Sequence, residues 1–415
     1  MSVPIKTLPI LERWECASCG NCCRGSVIPL SDADMERLKQ QRWEEHPDFE
    51  SVRTVTNRGW FDKRAQLAQR PDGSCVFLTP DNRCRIHAEF GEAAKPLVCQ
   101  MYPLQLVPQE KRVILTLRRS CPSAAADRGA ELQKRLSHVT QLAERGRLLD
   151  IAIRAPSITR RYRGSWTEAL TVARAIERLL VDERFPLVRR LVHGVRFCDL
   201  VEQCKWRRLV EKQLPELMTL LEDACHQDVS DLFAKRQPPQ GAVATLFRQA
   251  AAEYLRLHSS YRVTDSWHER WRLARAALAI ARGRGRAPLL HPSFPEVTFE
   301  ALEEPLGHLT PEVQRPFVRL YEANARSLQY VVAARPGWSI VESFRAFALA
   351  YPVALWIMRW SANNRSPTNE DAIEMVTIMD RGQGHEPLAG SQHRRRVATI
   401  ARTSQLEKMI VWYAQ

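Results

Sequence analysis

From about residue 125 to the C-terminus, apolar residues recur at three- and four-residue spacing, the pattern of helices that bury one face. This period predicts helices over about 126–149, 166–182, 198–224, 241–258, 265–283, 311–334, 339–359, 367–381 and 394–413. Ser165-Trp166-Thr167-Glu168 supplies a capping box, and Thr310-Pro311-Glu312 offers a cap followed by proline at the first helical position. A Gly- and Pro-rich loop from Gly283 to Pro305 divides the helical stretch, and no repeat of fixed period is visible. The most apolar run, Ala346 to Met358, is 13 residues long and flanked by Arg345 and Arg359. A bilayer span needs about 20 residues, so the run reads as a buried core helix kinked at Pro352, with no membrane span.

Before residue 125 the periodicity is shorter. Ser31 is placed to cap a helix over about 32–42 that ends near Trp43, with Asp32 and Asp34 at its positive end. Residues 51–78 read as short strands and turns, with Arg70-Pro71-Asp72-Gly73 a strong turn signal. Cys75–Leu78 and Asp81–Ile86 read as two strands around the Pro80-Asp81-Asn82 turn. The β-rich Arg112–Leu117 is expected to pair with one of them. The expected architecture is an α+β N-terminal cysteine-rich metal-binding module followed by a mainly α-helical region, mostly α overall. At 415 residues and 45% hydrophobic content the chain can bury two or three cores. The expected division is a cysteine-cluster domain over 1–125, a helical domain over 126–290 and a helical C-terminal domain over 291–415, the last two able to be continuous.

Cysteine placement changes the picture. Trp14-Glu15-Cys16-Ala17-Ser18-Cys19-Gly20-Asn21-Cys22-Cys23 carries four thiols spaced C-x2-C-x2-C-C, and Cys75, Cys84, Cys99 and Cys121 follow. Only Cys198, Cys204 and Cys225 lie beyond, so eight of eleven cysteines fall in the first 121 residues. Thiolates two residues apart can grip one metal from a tight turn, which Gly20 suits through its access to positive φ. Disulfides are the main rival. Met1 to Arg13 contains no apolar signal segment, so a reducing cytoplasm is expected, where disulfides are rare. A redox dithiol would bring a flanking βαβ pattern, which is missing. Isolated buried thiols fit worst, because adjacent Cys22 and Cys23 cannot share one burial direction. Those two thiolates would strain to bind one tetrahedral ion, so one is expected to serve a second centre or another edge of a cluster. The count allows one site with spare thiols or two four-thiolate sites.

The second half of the pattern reads Gly73-Ser74-Cys75-Val76-Phe77-Leu78, then Asn82-Arg83-Cys84-Arg85-Ile86-His87, then Lys95-Pro96-Leu97-Val98-Cys99-Gln100-Met101-Tyr102-Pro103. With the N-terminal cluster, residues 14–121 resemble the CxxCxxCC zinc- or iron-chelating family, whose best-known members are the flagellin lysine N-methylases. The resemblance implies as metal ligands Cys16, Cys19, Cys22, Cys23, Cys75, Cys84 and Cys99, with Cys121 in its Ser-Cys-Pro context as an eighth. His87 departs from the pattern, standing where an aromatic residue is expected; its two readings are a ligand or a packing residue, with packing the expected role. The resemblance also implies methyl transfer to a protein lysine, such as one of flagellin, with S-adenosylmethionine as donor. No motif in the helical region matches that branch.

The residues give that chemistry only indirect support. No G-x-G-x-x-G follows a strand, and the spacing differs from the C-x3-C-x2-C of radical S-adenosylmethionine enzymes. An unusual iron–sulfur cluster with one open iron could still bind the donor's amino and carboxylate groups. No Ser/His/Asp order, H-E-x-x-H or P-loop is readable. His193, His226, His258, His268, His291, His308, His385 and His393 form no ligand pair at short sequence spacing. Trp166, Trp206, Trp267, Trp271, Trp338, Trp356 and Trp360 are expected to line the core or a groove. The surplus of thiols favours an iron–sulfur cluster over zinc, since structural zinc needs only four ligands. The competing reading is a non-catalytic zinc or iron–sulfur protein with a structural or redox-sensing centre.

Charge adds one feature. The net charge is +14, and residues 1–125 carry 18 basic and 15 acidic side chains, leaving +11 to the remaining 290. Arginines cluster at 160, 161 and 163, at 282, 284 and 286, and at 394–396. Such a surface suits an acidic partner, nucleic acid or an anionic cofactor, although no nucleic-acid motif accompanies it; the competing reading is that most of these arginines line solvated helix faces.

Overall fold

The chain is described here from a computed structural model covering residues 3–57, 64–150, 154–227, 229–234, 236–258, 267–289, 294–363, 365–383, 386–402 and 404–415. His291 and His385 lie outside the described residues.

The N-terminal module is built on two small sheets. In the larger, β1 (Ile5–Thr7) pairs in parallel with β5 (Val113–Leu117), which pairs antiparallel with β4 (Leu104–Pro108). In the smaller, β2 (Val55–Asn57) pairs antiparallel with β3 (Ala65–Leu67). Around them lie α1 (Asp32–Gln40), α2 (Arg85–Phe90), α3 (Leu97–Met101) and α4 (Pro122–Ala125). Ser31 caps α1 as expected, with a reciprocal bond from its backbone N–H to Asp34.

Three expectations for this module need correction. Cys75–Leu78 and Asp81–Ile86 are not strands. Asn82 takes a left-handed φ of 63°, the segment closes through single bridges Gln69–Cys75 and Leu78–Cys84, and Arg85 already begins α2. The expected strand at 112–117 forms as β5 (Val113–Leu117), but its partners are β1 and β4. Neither partner was expected, because at three and five residues they are too short to show a period of two. Residues 126–131 are not helical, since Asp127 and Gly129 hold positive φ. Helix α5 (Leu136–Arg145) starts later, behind a 3-10 turn at 132–135, and packs Val139 and Leu142 onto the module's core with Trp14, Leu115 and Leu117.

The helical region comprises α6 (Trp166–Val181), α7 (Leu187–Gln203), α8 (Leu214–Gln227), α9 (Ser230–Ala234), α10 (Gly241–His258), α11 (Trp267–Arg282), α12 (Phe299–Leu302), α13 (Pro311–Ser327), α14 (Gln329–Val332), α15 (Ile340–Ala362), α16 (Asn369–Gly382), α17 (Glu386–Ala389), α18 (Ser391–Arg402) and α19 (Gln405–Tyr413). The capping box at Ser165–Glu168 and the Thr310 cap with Pro311 at N1 both form. The expected helix 198–224 is two helices. Pro215 is tolerated only in a first turn, and Trp206 Nε1 donates to the Val201 carbonyl at 3.0 Å where α7 ends.

Helix α15 is the centre of this region, packing against α7, α10, α16, α18 and α19. At 23 residues it is longer than the apolar run implied and runs on through Pro352. It is the one described helix long and apolar enough to cross a membrane, yet 94% of its apolar window is buried inside the fold. One hydrophobic cluster runs from Ala125 to Tyr413 and takes in residues on both sides of segment 283–305 and within it.

The two regions meet at the C-terminal end of α16. Asp380, fully buried, accepts from Arg118 Nε and from the Ser120 backbone N–H, both at 2.8 Å. Arg381 donates to Asn21 Oδ1 at 3.0 Å, and Asn21 Nδ2 donates to the Ser120 carbonyl at 3.1 Å. Residue 21 of the cysteine cluster is thereby fixed against α16.

Candidate metal centre

The cysteine loop is shaped by two left-handed residues, Ser18 at φ 49° and Gly20 at φ 67°. Gly20 precedes a 3-10 turn, Asn21–Cys23, closed by the Cys23 N–H on the Gly20 carbonyl at 3.0 Å. A side chain at Gly20 would be doubly unfavourable. The φ disfavours it, and a Cβ would lie 3.0 Å from Asn82 Oδ1 and 3.3 Å from Leu78 Cδ1. The glycine therefore lets the first cluster sit directly on the 78–82 loop.

Main-chain pairing joins the two halves of the motif. The Cys75 N–H donates to the Cys23 carbonyl at 2.8 Å, and the Gly25 N–H to the Gly73 carbonyl at 3.0 Å, around a bridge between Arg24 and Ser74. Leu78 bridges to Cys84, which stands at the N-terminus of α2. Cys99 lies within α3, whose first N–H, at Leu97, is held by Asp34 of α1 at 2.9 Å. Cys121 stands at the start of α4.

Several of these sulfurs face backbone N–H groups. Cys75 faces that of Phe77, Cys84 those of Ile86 and His87, and Cys121 those of Ser123 and Ala124. The Trp14 indole N–H has no oxygen or nitrogen acceptor and also faces Cys121. Such donors favour the thiolate. Burial opposes them, pushing the Cys75 thiol up to about 11 and raising Cys84, Cys99 and Cys121 as well. The Cys22 thiol is raised chiefly by Cys23, whose sulfur lies 3.9 Å away. Without a cation these are protonated thiols; a bound metal favours their deprotonated form.

Cys22, Cys75, Cys84 and Cys99 act on one another, with Lys95 as the nearby cation. Cys121 is instead influenced by Cys19. Cys16, Cys19 and Cys22 are exposed on the loop, Cys23 is half-buried beside Cys75, and none of the eleven cysteines is in a disulfide. Among the described residues, no three Cys, His, Asp or Glu side chains converge closely enough to hold a metal ion. The fold thus brings the eight thiols into one module without assembling a closed cage. The donor set fits a thiophilic metal: the sulfurs share one module, and several already receive N–H bonds, as thiolate ligands of zinc and iron–sulfur clusters do.

Two further expectations, and the remaining cysteines, are decided by placement. His87 is exposed, so it does not pack as expected. Cys198 and Cys225 are buried in the helical core, and Cys204 donates to the Leu200 carbonyl. Trp267 and Trp271 are 70% and 57% exposed, contrary to the core or groove role expected of them.

A cavity of about 1030 Å³ opens beside the module. Val98 and Ser120, neighbours of Cys99 and Cys121, line it together with Tyr102, Arg118 and Arg381. Neither Arg118 nor Arg381 was marked by the sequence, because their roles arise from contacts between segments more than 200 residues apart.

Residues 15–122 match the family described as "CxxCxxCC: Putative zinc- or iron-chelating domain". An uncharacterized protein of Methanocaldococcus jannaschii is 29% identical over 111 residues, which are 26% of this chain and 36% of that protein. The match therefore spans about a third of that relative's length. No solved structure matches the chain.

Proposed function

We propose, from the premise that residues 15–122 are a CxxCxxCC zinc- or iron-chelating domain, that this protein carries a thiolate-ligated metal centre. The ligands are drawn from Cys16, Cys19, Cys22, Cys23, Cys75, Cys84, Cys99 and Cys121. The observation that carries this reading is the convergence of both halves of the motif through the Cys23–Cys75 main-chain bond. An iron–sulfur cluster is favoured over zinc by the surplus of thiols and the adjacent Cys22–Cys23 pair. Cys75, Cys84 and Cys99 form the inner set, while Cys16, Cys19 and Cys22 lie on the exposed loop. Such a cluster would supply electron transfer or an open iron for a small ligand. The chain itself provides backbone N–H bonds to sulfur and burial of the inner thiols.

The enzymatic extension is methyl transfer from S-adenosylmethionine to a lysine of a protein such as flagellin. In this chain its support is the large cavity lined by Val98 and Ser120, the sequence neighbours of Cys99 and Cys121, with Arg118, Arg381 and Tyr102 on its wall. A site of that size suits a small molecule. Calorimetric titration of anaerobic, metal-loaded protein with S-adenosylmethionine tests it. Saturable binding that is lost in Arg381→Ala supports the extension, and absence of binding leaves a non-catalytic metal protein.

A further inference from the structure

Helix α11 is apolar on two opposite faces. Its inner face buries Ala276 and Ile280, which are 9% and 7% exposed. On the outer side, Trp267, Trp271 and Leu278 are 70%, 57% and 51% exposed. At 3.6 residues per turn these three fall within a sector of about 40°, so they form one continuous stripe along the helix, with exposed Ala274 between them. Scattered exposed apolar residues need no explanation. An aligned stripe containing two tryptophans does, because each buries a large apolar area when covered.

The surroundings of the stripe are basic. Residues 267–286 contain six arginines against one acidic residue, Glu269. Arg275 and Arg282 are exposed and flank the stripe on one side. Arg286 is partly compensated by Glu296 at 3.8 Å, and Glu300 holds the Gly285 N–H at 3.0 Å near Arg284.

We propose that the outer face of α11 is a docking surface for an anionic phospholipid membrane. Tryptophan rings settle at headgroup depth, leucine enters the acyl boundary, and arginines meet the phosphates; a helix of this composition lies in the interface plane. The stripe suits lipid better than nucleic acid. The Trp267 and Trp271 rings stand edge to face, with centroids 6.3 Å apart and planes at 73°, so they offer no parallel platform for bases. Leu278 has no role against a base or a phosphate. The surface is separate from the candidate metal centre and from α15, which stays in the core.

The test is flotation of the full metal-loaded chain with vesicles of phosphatidylcholine alone or mixed with phosphatidylglycerol. Binding to the anionic vesicles is expected to be roughly tenfold stronger or more, and weakened by salt. Trp267→Ala with Trp271→Ala, and separately Arg275→Glu with Arg282→Glu, should each lower it roughly tenfold or more. Both pairs are exposed, so an unchanged melting temperature serves as the folding control. Failure to prefer anionic vesicles, or wild-type binding by both variants, overturns the proposal. So does binding to single-stranded oligonucleotide without vesicle binding, or tryptophan-dependent dimerisation without vesicle binding.

Discussion

The Cys75 backbone N–H donates to the Cys23 carbonyl at 2.8 Å, joining the two halves of the cysteine motif by the main chain alone. Since no sulfur takes part, the two cysteines stay adjacent before any metal arrives. The thiols then differ in where binding finds them: Cys75, Cys84 and Cys99 start from buried or half-buried positions, while Cys16, Cys19 and Cys22 start from an exposed loop.

Replacing an inner thiol should therefore be costly. Cys75→Ala and Cys99→Ala should each lose metal and lower the stability of the module, because a metal's binding energy is also folding energy. Cys204→Ala should keep the metal and cost only about 1 kcal/mol, as its one bond is to the Leu200 carbonyl. Elemental analysis and thermal melts on the three variants check this.

Gly20→Ala tests whether the loop geometry is required. The positive φ and the 3.0 Å approach of a Cβ to Asn82 together should destabilise by about 1–3 kcal/mol. Metal content should fall with it. A variant as stable and as metal-rich as the parent would show that the Asn21–Cys23 turn is not what positions the thiols.

Asp380→Ala removes the carboxylate that holds both Arg118 and the Ser120 N–H. Because Arg118 would remain with no charge opposite it, a loss of about 2–4 kcal/mol is expected, short of a fully buried pair because Arg118 is partly solvated. Denaturant unfolding followed by tryptophan fluorescence gives the value. A second transition should appear as the cysteine module loosens from α16.

A pH effect is expected from His193. It is buried beside His226 and Arg189, and burial, followed by those neighbours, lowers its pKa to about 4. In the unfolded chain a histidine titrates near about 6.5. The unfolded state thus binds more protons between those values. Its contribution to stability is fully present above the unfolded value and is lost as pH falls through about 4. Urea midpoints measured from neutral pH downward should decline across that window, and His193→Gln should flatten the decline.

Much of this was legible from residues alone. The thiol spacing marked the module, the Ser165, Thr310 and Ser31 caps marked helix starts, and the 3.6-residue period located α6, α10, α11 and α16. What escaped was set by contacts remote in sequence. The strands β1 and β4 are too short to show alternation, and Leu328, which ends α13, and Ser404, which precedes α19, take positive φ without being glycine. The docking of α16 through Asp380 and Arg381 onto residues 118–120 and 21 has no local signature at all.

The presence of a thiolate metal centre is tested most directly by iron, zinc and acid-labile sulfide analysis, with visible absorption, on protein purified without oxygen. Brown protein with about four iron and four sulfide per chain is the expected result. Colourless protein that takes up neither iron nor zinc, with its eight N-terminal thiols free to react, would contradict it.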